Sequence, residues 1–266
     1  MLEMIFFDMG GTLDFYPRNP ENIKRACLEM QEILTEAGAP EVSSLPPDEF
    51  RELVLSGIAR YKQWRERGNV ELSPEELWRD FILCGFSGLD NIINDNAEKL
   101  TFLIDTGFVN RVPREELREV LDSLKGRNLR MGIISNVLSR NQVSHDLSRY
   151  GVTEYFDTVV LSAVFGKRKP HPEIFLEACR KASVKPENVL FIGNSPSKDI
   201  NGAKGAGMGW TVLIEYEFTP GHDTGFDPDY RISNLRELIP VVEVLLSENG
   251  GSVPSQDINS ASCSVV

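Results

Sequence analysis

The feature that most constrains the fold is an alternation of helical segments with short apolar segments between residues 113 and 214. Each apolar segment has four or five residues and lacks a polar face, which is typical of a strand buried on both sides in a parallel sheet. Helices are predicted over 113–125, 139–150, 172–183 and 198–206, and strands over 130–134, 157–161, 189–192 and 210–214. The alternation therefore predicts an α/β core, a doubly wound (Rossmann-like) parallel sheet with helices on both faces.

One more apolar run, residues 4–7, predicts a strand of the same sheet, but a long helical region separates it from the others. In that region Asn19-Pro20 is a typical helix start, and Ser73 and Glu76 have the spacing of a capping box. We therefore predict an all-helical cap domain inserted after the first strand. The predicted bounds are 1–15 and 106–246 for the α/β core, 16–105 for the cap and 247–266 for a tail that we expect to be disordered.

Composition excludes several classes of partner. The formal net charge of −12 is spread along the 266 residues, so the surface repels phosphate backbones and nucleic acid is not an expected partner. No apolar stretch reaches the roughly 20 residues of a membrane span, and no signal-type segment opens the chain. The four cysteines are far apart, as expected for free thiols in a reducing compartment. We therefore expect a cytoplasmic protein without a membrane partner, either a monomer or a homodimer.

Polar residues follow the predicted strands, at the edge where ligands bind to an open parallel sheet. These residues are Asp8, Ser135 with Asn136, Lys169, and a loop that runs from Asn194 to Asp199. A carboxylate, a hydroxyl, an ammonium and an acidic loop are thus expected at one place. This set suits covalent attack by a carboxylate on an electrophile, with a metal ion and a lysine balancing negative charge.

With these motifs in this order, the chain resembles the haloacid dehalogenase-like hydrolase superfamily. The similar segments are Asp8-Met-Gly-Gly-Thr-Leu13, Ser135, Lys169-Pro-His-Pro-Glu-Ile-Phe175, and the fourth motif from Gly193 to Met208. The resemblance covers about residues 4–215, and the helical region is similar to the small cap domain of this superfamily.

The resemblance implies a magnesium-dependent hydrolase that acts on a small anionic metabolite. Asp8 would attack phosphorus, Ser135 would hydrogen-bond the phosphoryl group, and Lys169 would link the two. The implied catalytic residues are Asp8, Thr12 (which orients the first loop), Ser135 and Lys169. The implied substrate-binding residues are Ser135, Asn136, Lys169 and Gly11, and the implied Mg²⁺ ligands are Asp8, Gly10 through its carbonyl, Asn194 and Asp199.

Two residues depart from the superfamily's pattern. Its phosphatases usually carry a second aspartate at position 10, which protonates the leaving group, whereas Gly10 cannot transfer a proton. Such catalysis is typically worth ~10²–10⁴ in rate. Asp14 is close in sequence but lies beyond the turn, so we do not expect it to replace the missing acid. Asn194 stands where an aspartate is usual, so we expect weaker binding of Mg²⁺.

These departures leave three functions open. The leading hypothesis is a phosphatase of small phosphorylated metabolites that forms an aspartyl phosphate and is slowed by Gly10. The alternatives are a catalytically impaired binding protein and a metal-free hydrolase of the haloacid dehalogenase type.

Some polar residues also have a structural interpretation. Asp199 is suited to capping the helix that follows it. Arg60, Arg65 and Arg67 are expected either on a solvated helix face or beside an anionic substrate. Tyr61 and Trp64 are expected to pack within the helical region rather than to contact a substrate.

Overall fold

The computed structural model describes residues 1–217, 219, 221 and 223–248. Six strands form a parallel sheet in the order β5-β4-β1-β6-β7-β8, so the first strand of the chain lies inside the sheet. They are β1 (Met4–Phe7), β4 (Arg130–Ser135), β5 (Thr158–Leu161), β6 (Val189–Gly193), β7 (Trp210–Ile214) and β8 (Tyr230–Ile232). Two short strands, β2 (Asp14–Phe15) and β3 (Val112–Pro113), pair antiparallel. The predicted doubly wound α/β fold is confirmed.

Helices lie between the strands and after the last of them. The helices before residue 110 are α1 (Pro20–Glu36), α2 (Pro40–Ser43), α3 (Pro47–Arg65), α4 (Pro74–Leu77) and α5 (Asp90–Gly107), with a π-helical turn over Trp78–Ile82. The later helices are α6 (Leu117–Gly126), α7 (Gln142–Tyr150), α8 (Ser162–Phe165), α9 (Pro172–Ala182), α10 (Asn201–Gly205) and α11 (Leu238–Glu248), with a second π-helical turn over Pro196–Ile200. Among the described residues, we find no helix with the length and apolar character needed to cross a bilayer.

Side chains of β1 alternate between the two faces of the sheet, as successive residues of a strand do. Ile5 and Phe7 belong to the apolar core that includes residues of α6, α7 and α11. Met4 and Phe6 belong to the core that includes residues of α9 and α10. All four side chains are fully buried. Both faces of β1 are therefore covered, which explains why its sequence lacks a polar face.

The helices between β2 and β3 pack around an apolar core of their own. Met30 of α1 and Phe50 of α3 are fully buried in it. The indole N–H of Trp78 donates to Thr101 Oγ1 at 2.9 Å, so its polar atom is satisfied inside this core. The helical insertion after the first strand is therefore confirmed.

The exact domain bounds, 1–15 and 106–246 for the core and 16–105 for the cap, stay a prediction. Helix α11 continues through Glu248, past the predicted start of the tail at 247, because Val242 and Leu245 anchor it in the core beside the sheet. The rest of the predicted tail, 249–266, lies outside the described residues.

Helix starts that have a capping signal were correctly predicted. Asn19 Oδ1 accepts the N–H of Glu21 at 3.0 Å at the start of α1. At the start of α4, Ser73 and Glu76 form both hydrogen bonds of the capping box. These local bonds need no tertiary partner, which explains why the sequence alone indicates them.

Two helices whose predicted starts rest on no capping signal begin later than predicted. Helices α6 and α7 begin at residues 117 and 142, later than the predicted 113 and 139. The preceding backbone is used for tertiary bonds, because Arg114 N–H donates to Leu13 O and Ser139 N–H donates to Asp105 Oδ2. The helix predicted over 198–206 is a π-helical turn followed by α10.

Gly57 is the point at which α3 packs against the first π-helical turn. A Cβ there would lie 2.8 Å from Phe81 O and 2.9 Å from Ile82 Cα, closer than real Cβ atoms approach. We expect Gly57→Ala to lower the free energy of unfolding by about 1–3 kcal/mol, because the two segments must separate. In the matched control, Gly126→Ala, the new methyl group meets open space, and we expect no loss and a gain of up to ~1 kcal/mol. Urea unfolding measures both, and equal stabilities of the two variants would contradict this expectation.

Candidate active site

The predicted site residues meet in one cleft between the carboxyl edge of the sheet and the inserted helices α3 and α5. The volume of the cleft is about 530 Å³. Its lining includes Asp8, Gly10, Ser135, Asn136, Lys169, Asn194 and Asp199. The remaining two predicted residues, Gly11 and Thr12, are buried in the turn that follows Asp8. Loops that are far apart in the sequence therefore meet at one sheet edge, as expected for parallel strands.

The Lys169 ammonium lies between two carboxylates in this cleft. Its Nζ is 2.6 Å from Asp8 Oδ1 and 2.6 Å from Asp199 Oδ1, and the residue is only 2% exposed. Burial alone would lower the pKa of Lys169, but the charges of Asp199 and Asp8 outweigh burial and raise that pKa. Lys169 therefore stays protonated and holds the two acids together.

Asp8 extends β1 and is held in place by the sheet, because its N–H donates to Ile192 O at 2.9 Å. Burial raises the pKa of Asp8 to about 6. The Lys169 ammonium opposes this rise, and the Asp199 charge adds to it. A divalent cation beside the carboxylate would act in the same direction as Lys169 and favour the ionised form.

Asn136 holds the backbone of Lys169. Its Nδ2 donates to Lys169 O at 2.9 Å, and Lys169 N–H donates to Asn136 Oδ1 at 2.8 Å. Both ends of the amide are therefore used to position the lysine, a role that the sequence did not indicate. A contact between Asn136 and a substrate stays a prediction, as does the substrate contact of its neighbour Ser135, the last residue of β4.

The turn after Asp8 is closed by its own backbone and by Arg114. Gly11 has a φ of +88°, which favours glycine, and its N–H donates to Asp14 O at 2.9 Å. Arg114 donates from Nε to Thr12 O and from Nη2 to Gly11 O, each at 2.9 Å. The backbone groups of Gly11 are thus engaged inside the turn, and a substrate contact by Gly11 stays a prediction. No local motif singles out Arg114.

Oxygen-bearing groups of three residues converge beside this turn. One terminal atom of the Asn194 amide lies 2.9 Å from Gly10 O and 3.2 Å from Asp8 Oδ2. An amide nitrogen at this position donates to both oxygens. An amide oxygen leaves three acceptors facing one another, an arrangement that a cation between them stabilises.

The separations and the donor types fit Mg²⁺. Neighbouring oxygens around Mg²⁺ lie roughly 3.0 Å apart, since the ion binds oxygen octahedrally at ~2.1 Å. A carboxylate, a carbonyl and an amide oxygen are all ligands that this ion accepts. In the described part of the chain, no group of three or more His, Cys, Asp or Glu side chains offers an alternative metal site.

Asp199 organises the loop that carries Asn194. Its Oδ2 accepts the N–H groups of Asn194 at 3.0 Å and Ser195 at 2.9 Å. The alternative prediction that Asp199 caps the next helix is wrong, because Ser195 is the N-cap residue and accepts an N–H of the following turn. A Cβ at Gly193 would collide with the Asp199 carboxylate, so only glycine fits there. The role of Asp199 as a Mg²⁺ ligand stays a prediction.

The space beside Gly10 is filled by Tyr16 and Arg111. A Cβ at position 10 would lie 3.0 Å from Tyr16 Cε1 and 3.6 Å from Arg111 Nη1. Asp14, the carboxylate close in sequence, accepts from Arg111 Nη1 at 3.0 Å and from the Tyr150 hydroxyl at 2.8 Å. Asp14 is fully buried in these contacts and does not replace the acid that is missing at position 10.

Glu71, a buried carboxylate of the insertion, ties the insertion to the core. It accepts from the Tyr61 hydroxyl at 2.7 Å and from Ser162 Oγ at 2.9 Å. It also forms ion pairs with Arg65 at 3.1 Å and Arg168 at 3.0 Å. Burial and the nearby Arg65 charge lower the pKa of Arg168, and Glu71 opposes this shift. The expectation of packing inside the helical region is confirmed for Tyr61, whereas Trp64 is 40% exposed.

Basic side chains dominate the lining of the cleft, although the chain as a whole carries a net charge of −12. The basic residues are Arg18, Lys62, Arg65, Arg111, Arg168, Lys169 and Lys198, and the acidic residues are Asp8, Asp105 and Asp199. Of the three arginines considered from the sequence, Arg65 lines the cleft, whereas Arg60 donates to Phe81 O at 2.5 Å and Arg67 is exposed. Lys62, Arg168 and Lys198, to which the sequence analysis assigned no role, also line the cleft.

Comparison with known proteins identifies relatives of this chain. A profile of the haloacid dehalogenase-like hydrolase family matches residues 98–213. The glyceraldehyde 3-phosphate phosphatase of Pyrococcus furiosus is 36% identical over 255 residues, which are 94% of this chain and 95% of that protein. The enzyme of the same name from Methanopyrus kandleri is 35% identical over 67% of this chain and 84% of that protein. The crystal structure of 2-haloacid dehalogenase from Pseudomonas syringae pv. Tomato DC3000 matches with a TM-score of 0.64 at 23% identity, covering 92% of this chain and 100% of that chain.

The fold and the site define an α/β protein with an inserted helical cap over a charged cleft at the sheet edge. Together with these relatives, they show that the chain belongs to the haloacid dehalogenase-like hydrolase family. The resemblance that the sequence motifs indicated is confirmed.

We expect Glu71→Gln to lower the free energy of unfolding by about 3–5 kcal/mol, because it leaves the buried guanidinium of Arg168 without its counter-ion. The matched control is Glu187→Gln, which removes an exposed carboxylate 3.9 Å from Lys185 and should cost less than ~1 kcal/mol. Urea unfolding of the two variants measures the difference. A loss for Glu71→Gln no larger than that of the control would contradict the proposed importance of this buried pair.

Proposed function

We propose that this hydrolase is a phosphatase of small phosphorylated metabolites that works through an aspartyl phosphate on Asp8. The observation that carries the proposal is the buried contact of Asp8 with Lys169 at the end of β1, since it supplies a nucleophile and a positive charge at one point. The identity of 36% to a glyceraldehyde 3-phosphate phosphatase supports a substrate of similar size. A cleft of about 530 Å³ is large enough for such a metabolite.

We assign the attack on phosphorus to Asp8 Oδ1. Oδ2 lies 3.2 Å from the Asn194 amide, whereas Oδ1 lies 2.6 Å from Lys169 Nζ. The Oδ1–phosphorus bond forms as the ester bond between phosphorus and oxygen breaks. Lys169 balances the negative charge of the phosphoryl oxygens, and the Ser135 hydroxyl donates a hydrogen bond to them. Water then attacks phosphorus, the bond to Oδ1 breaks, and phosphate leaves the free carboxylate.

The leaving group takes its proton from water in this mechanism. Gly10 has no acidic side chain, and Asp14 is held by Arg111 and Tyr150. Because general acid catalysis typically contributes ~10²–10⁴ in rate, alkyl phosphates should turn over slowly. Substrates whose leaving group is a weak base, such as acyl and aryl phosphates, suit this site best.

Mg²⁺ would be held by Asp8 Oδ2, the Gly10 carbonyl and the Asn194 amide oxygen. When bound, the ion neutralises negative charge on the phosphoryl group. Asp199 supports this arrangement through Lys169 and through the N–H of Asn194. Since Asn194 brings no charge, we expect the affinity for Mg²⁺ to be low.

The first prediction from this mechanism concerns aryl phosphate hydrolysis, in which the leaving group needs little protonation. We expect the wild-type protein to release phosphate in a Mg²⁺-dependent reaction and Asp8→Asn to abolish it, because the amide cannot act as the nucleophile. The control is Asp157→Asn, which changes an exposed acid paired with Arg130 and should retain wild-type turnover.

Turnover that survives Asp8→Asn would exclude the aspartyl-phosphate mechanism. If the wild-type protein released no phosphate but released halide from a short 2-haloacid, the dehalogenase alternative would replace the proposal. If it released neither phosphate nor halide, the alternative of a catalytically impaired binding protein would replace the proposal.

The second prediction concerns the metal. We expect Asn194→Asp to tighten Mg²⁺ binding about tenfold, because a carboxylate replaces a neutral amide beside Asp8 Oδ2. Isothermal titration calorimetry with Mg²⁺ alone measures the affinity. Asn91→Asp, an exposed position on α5, is the matched control and should leave it unchanged. An affinity unaffected by Asn194→Asp would mean that the ion binds elsewhere.

A further inference from the structure

The cleft face of α3 changes from apolar to basic along its length. Leu55, Ile58, Lys62 and Arg65 line the cleft at spacings of three or four residues, which puts them on one face of the helix. From Leu55 to Arg65 this face spans roughly 15 Å. The cleft is therefore longer than a phosphoryl group requires, and its basic part lies at the C-terminal end of α3.

Four basic side chains form what we call the cation cluster: Lys62 and Arg65 of α3, and Arg168 and Lys198 of the core. Arg65 and Arg168 are joined by the Glu71 carboxylate between them, at 3.1 and 3.0 Å. Burial lowers the pKa of the half-buried Lys198 ammonium, the positive charges of Arg168 and Arg65 lower it further, and the charges of Asp199 and Glu66 oppose this shift only in part. The cluster thus combines groups from both sides of the cleft.

The carboxylates near the cation cluster either are engaged by other donors or lie outside the lining of the cleft. Glu71 is surrounded by four donors, and Asp199 shares Lys169 with Asp8. Asp223 accepts hydrogen bonds from the serines of the fourth loop, and Glu66 is exposed at the end of α3. Neither Asp223 nor Glu66 lines the cleft.

The cation cluster therefore holds more positive charge than the carboxylates paired with it neutralise. Among the described residues, neither Lys62 nor Lys198 has a carboxylate oxygen within 4.0 Å of its ammonium. Arg65 Nε is buried and has no hydrogen-bond acceptor. Like charges held together repel each other, and an anion placed between them removes this cost. Such an excess is expected where a ligand supplies the negative charge.

We propose that the cation cluster binds a second anionic group, a carboxylate or a second phosphate, on the same substrate whose phosphoryl group is attacked by Asp8. This inference rests on the proposed phosphatase function and narrows its substrate class to small phosphate esters with two anionic ends. The transferred phosphoryl group is already served by Lys169 and Ser135. The cluster is additional to them and lies partly on the inserted helices.

Binding in the Asp8→Asn background tests this without turnover. The probes are three-carbon phosphate esters that end in a carboxylate, in its neutral amide or in a second phosphate. We expect calorimetry to show that the carboxylate or the bisphosphate binds at least about tenfold more tightly than the amide, as a charge-assisted contact does. The tighter of the two anionic probes identifies the second group.

Lys198→Gln and, separately, Lys62→Gln should reduce this preference for the anionic probes about tenfold or more. The two lysines lie on different elements, so a folding defect in one variant leaves the other informative. Lys185→Gln, an exposed lysine beside Glu187, is the matched control and should leave the preference unchanged.

Equal affinity for the amide and both anionic probes would overturn the inference. So would an equal loss for all three probes in Lys198→Gln, because that result would mean that the cluster binds the transferred phosphoryl group. Failure of the phosphatase proposal has a different signature, namely aryl phosphate hydrolysis that is absent or independent of Asp8. The affinities of the probes are measured without turnover and do not depend on that hydrolysis.

Discussion

The contact on which the rest of the site depends is that of the Lys169 ammonium with both Asp8 and Asp199, each at 2.6 Å. Two carboxylates buried so close together would repel each other, and protonation of one would be the usual result. A single buried cation removes this repulsion only if it is held in place. Asn136 fixes the backbone of Lys169, and the Phe191 ring lies 5.4 Å from Nζ. The lysine is therefore placed by the sheet.

This placement has consequences for the neighbouring loops. Since one oxygen of Asp199 is taken by Lys169, the other is left to accept the N–H groups that set the position of Asn194. Asn194 in turn fills the space beside Gly11, where a Cβ would lie 2.6 Å from its amide nitrogen. The glycines at 11 and 193 are thus required by packing of the site. Chemistry and local backbone conformation are set by the same few contacts.

The sequence predicted those parts of the molecule whose signal is local. Strand 4–7, strand 210–214 and the capping box at Ser73 have the predicted bounds because periodicity and capping act over a few residues. Strands β2, β3 and β8 have only two or three residues, which is too short for a pattern of alternating apolar residues to indicate them. The pairing of Arg114 with the turn at Thr12 joins residues 102 positions apart, so no local pattern indicates it. For the same reason, no local pattern indicates that the four basic side chains of the cation cluster meet in one cleft.

The proton donor missing at position 10 raises the reaction barrier, whereas binding of a second anion at the cation cluster supplies energy that can lower it. Binding energy from a part of the substrate that does not react can offset a barrier at the part that does. One charge-assisted contact is worth roughly 10–100-fold, whereas the proton donor that Gly10 lacks is worth ~10²–10⁴. The compensation is therefore partial, and a second anion alone does not make an alkyl ester a fast substrate. A small acyl phosphate with a second anionic group meets both demands, because its leaving carboxylate needs no proton and its second anion fits the cluster.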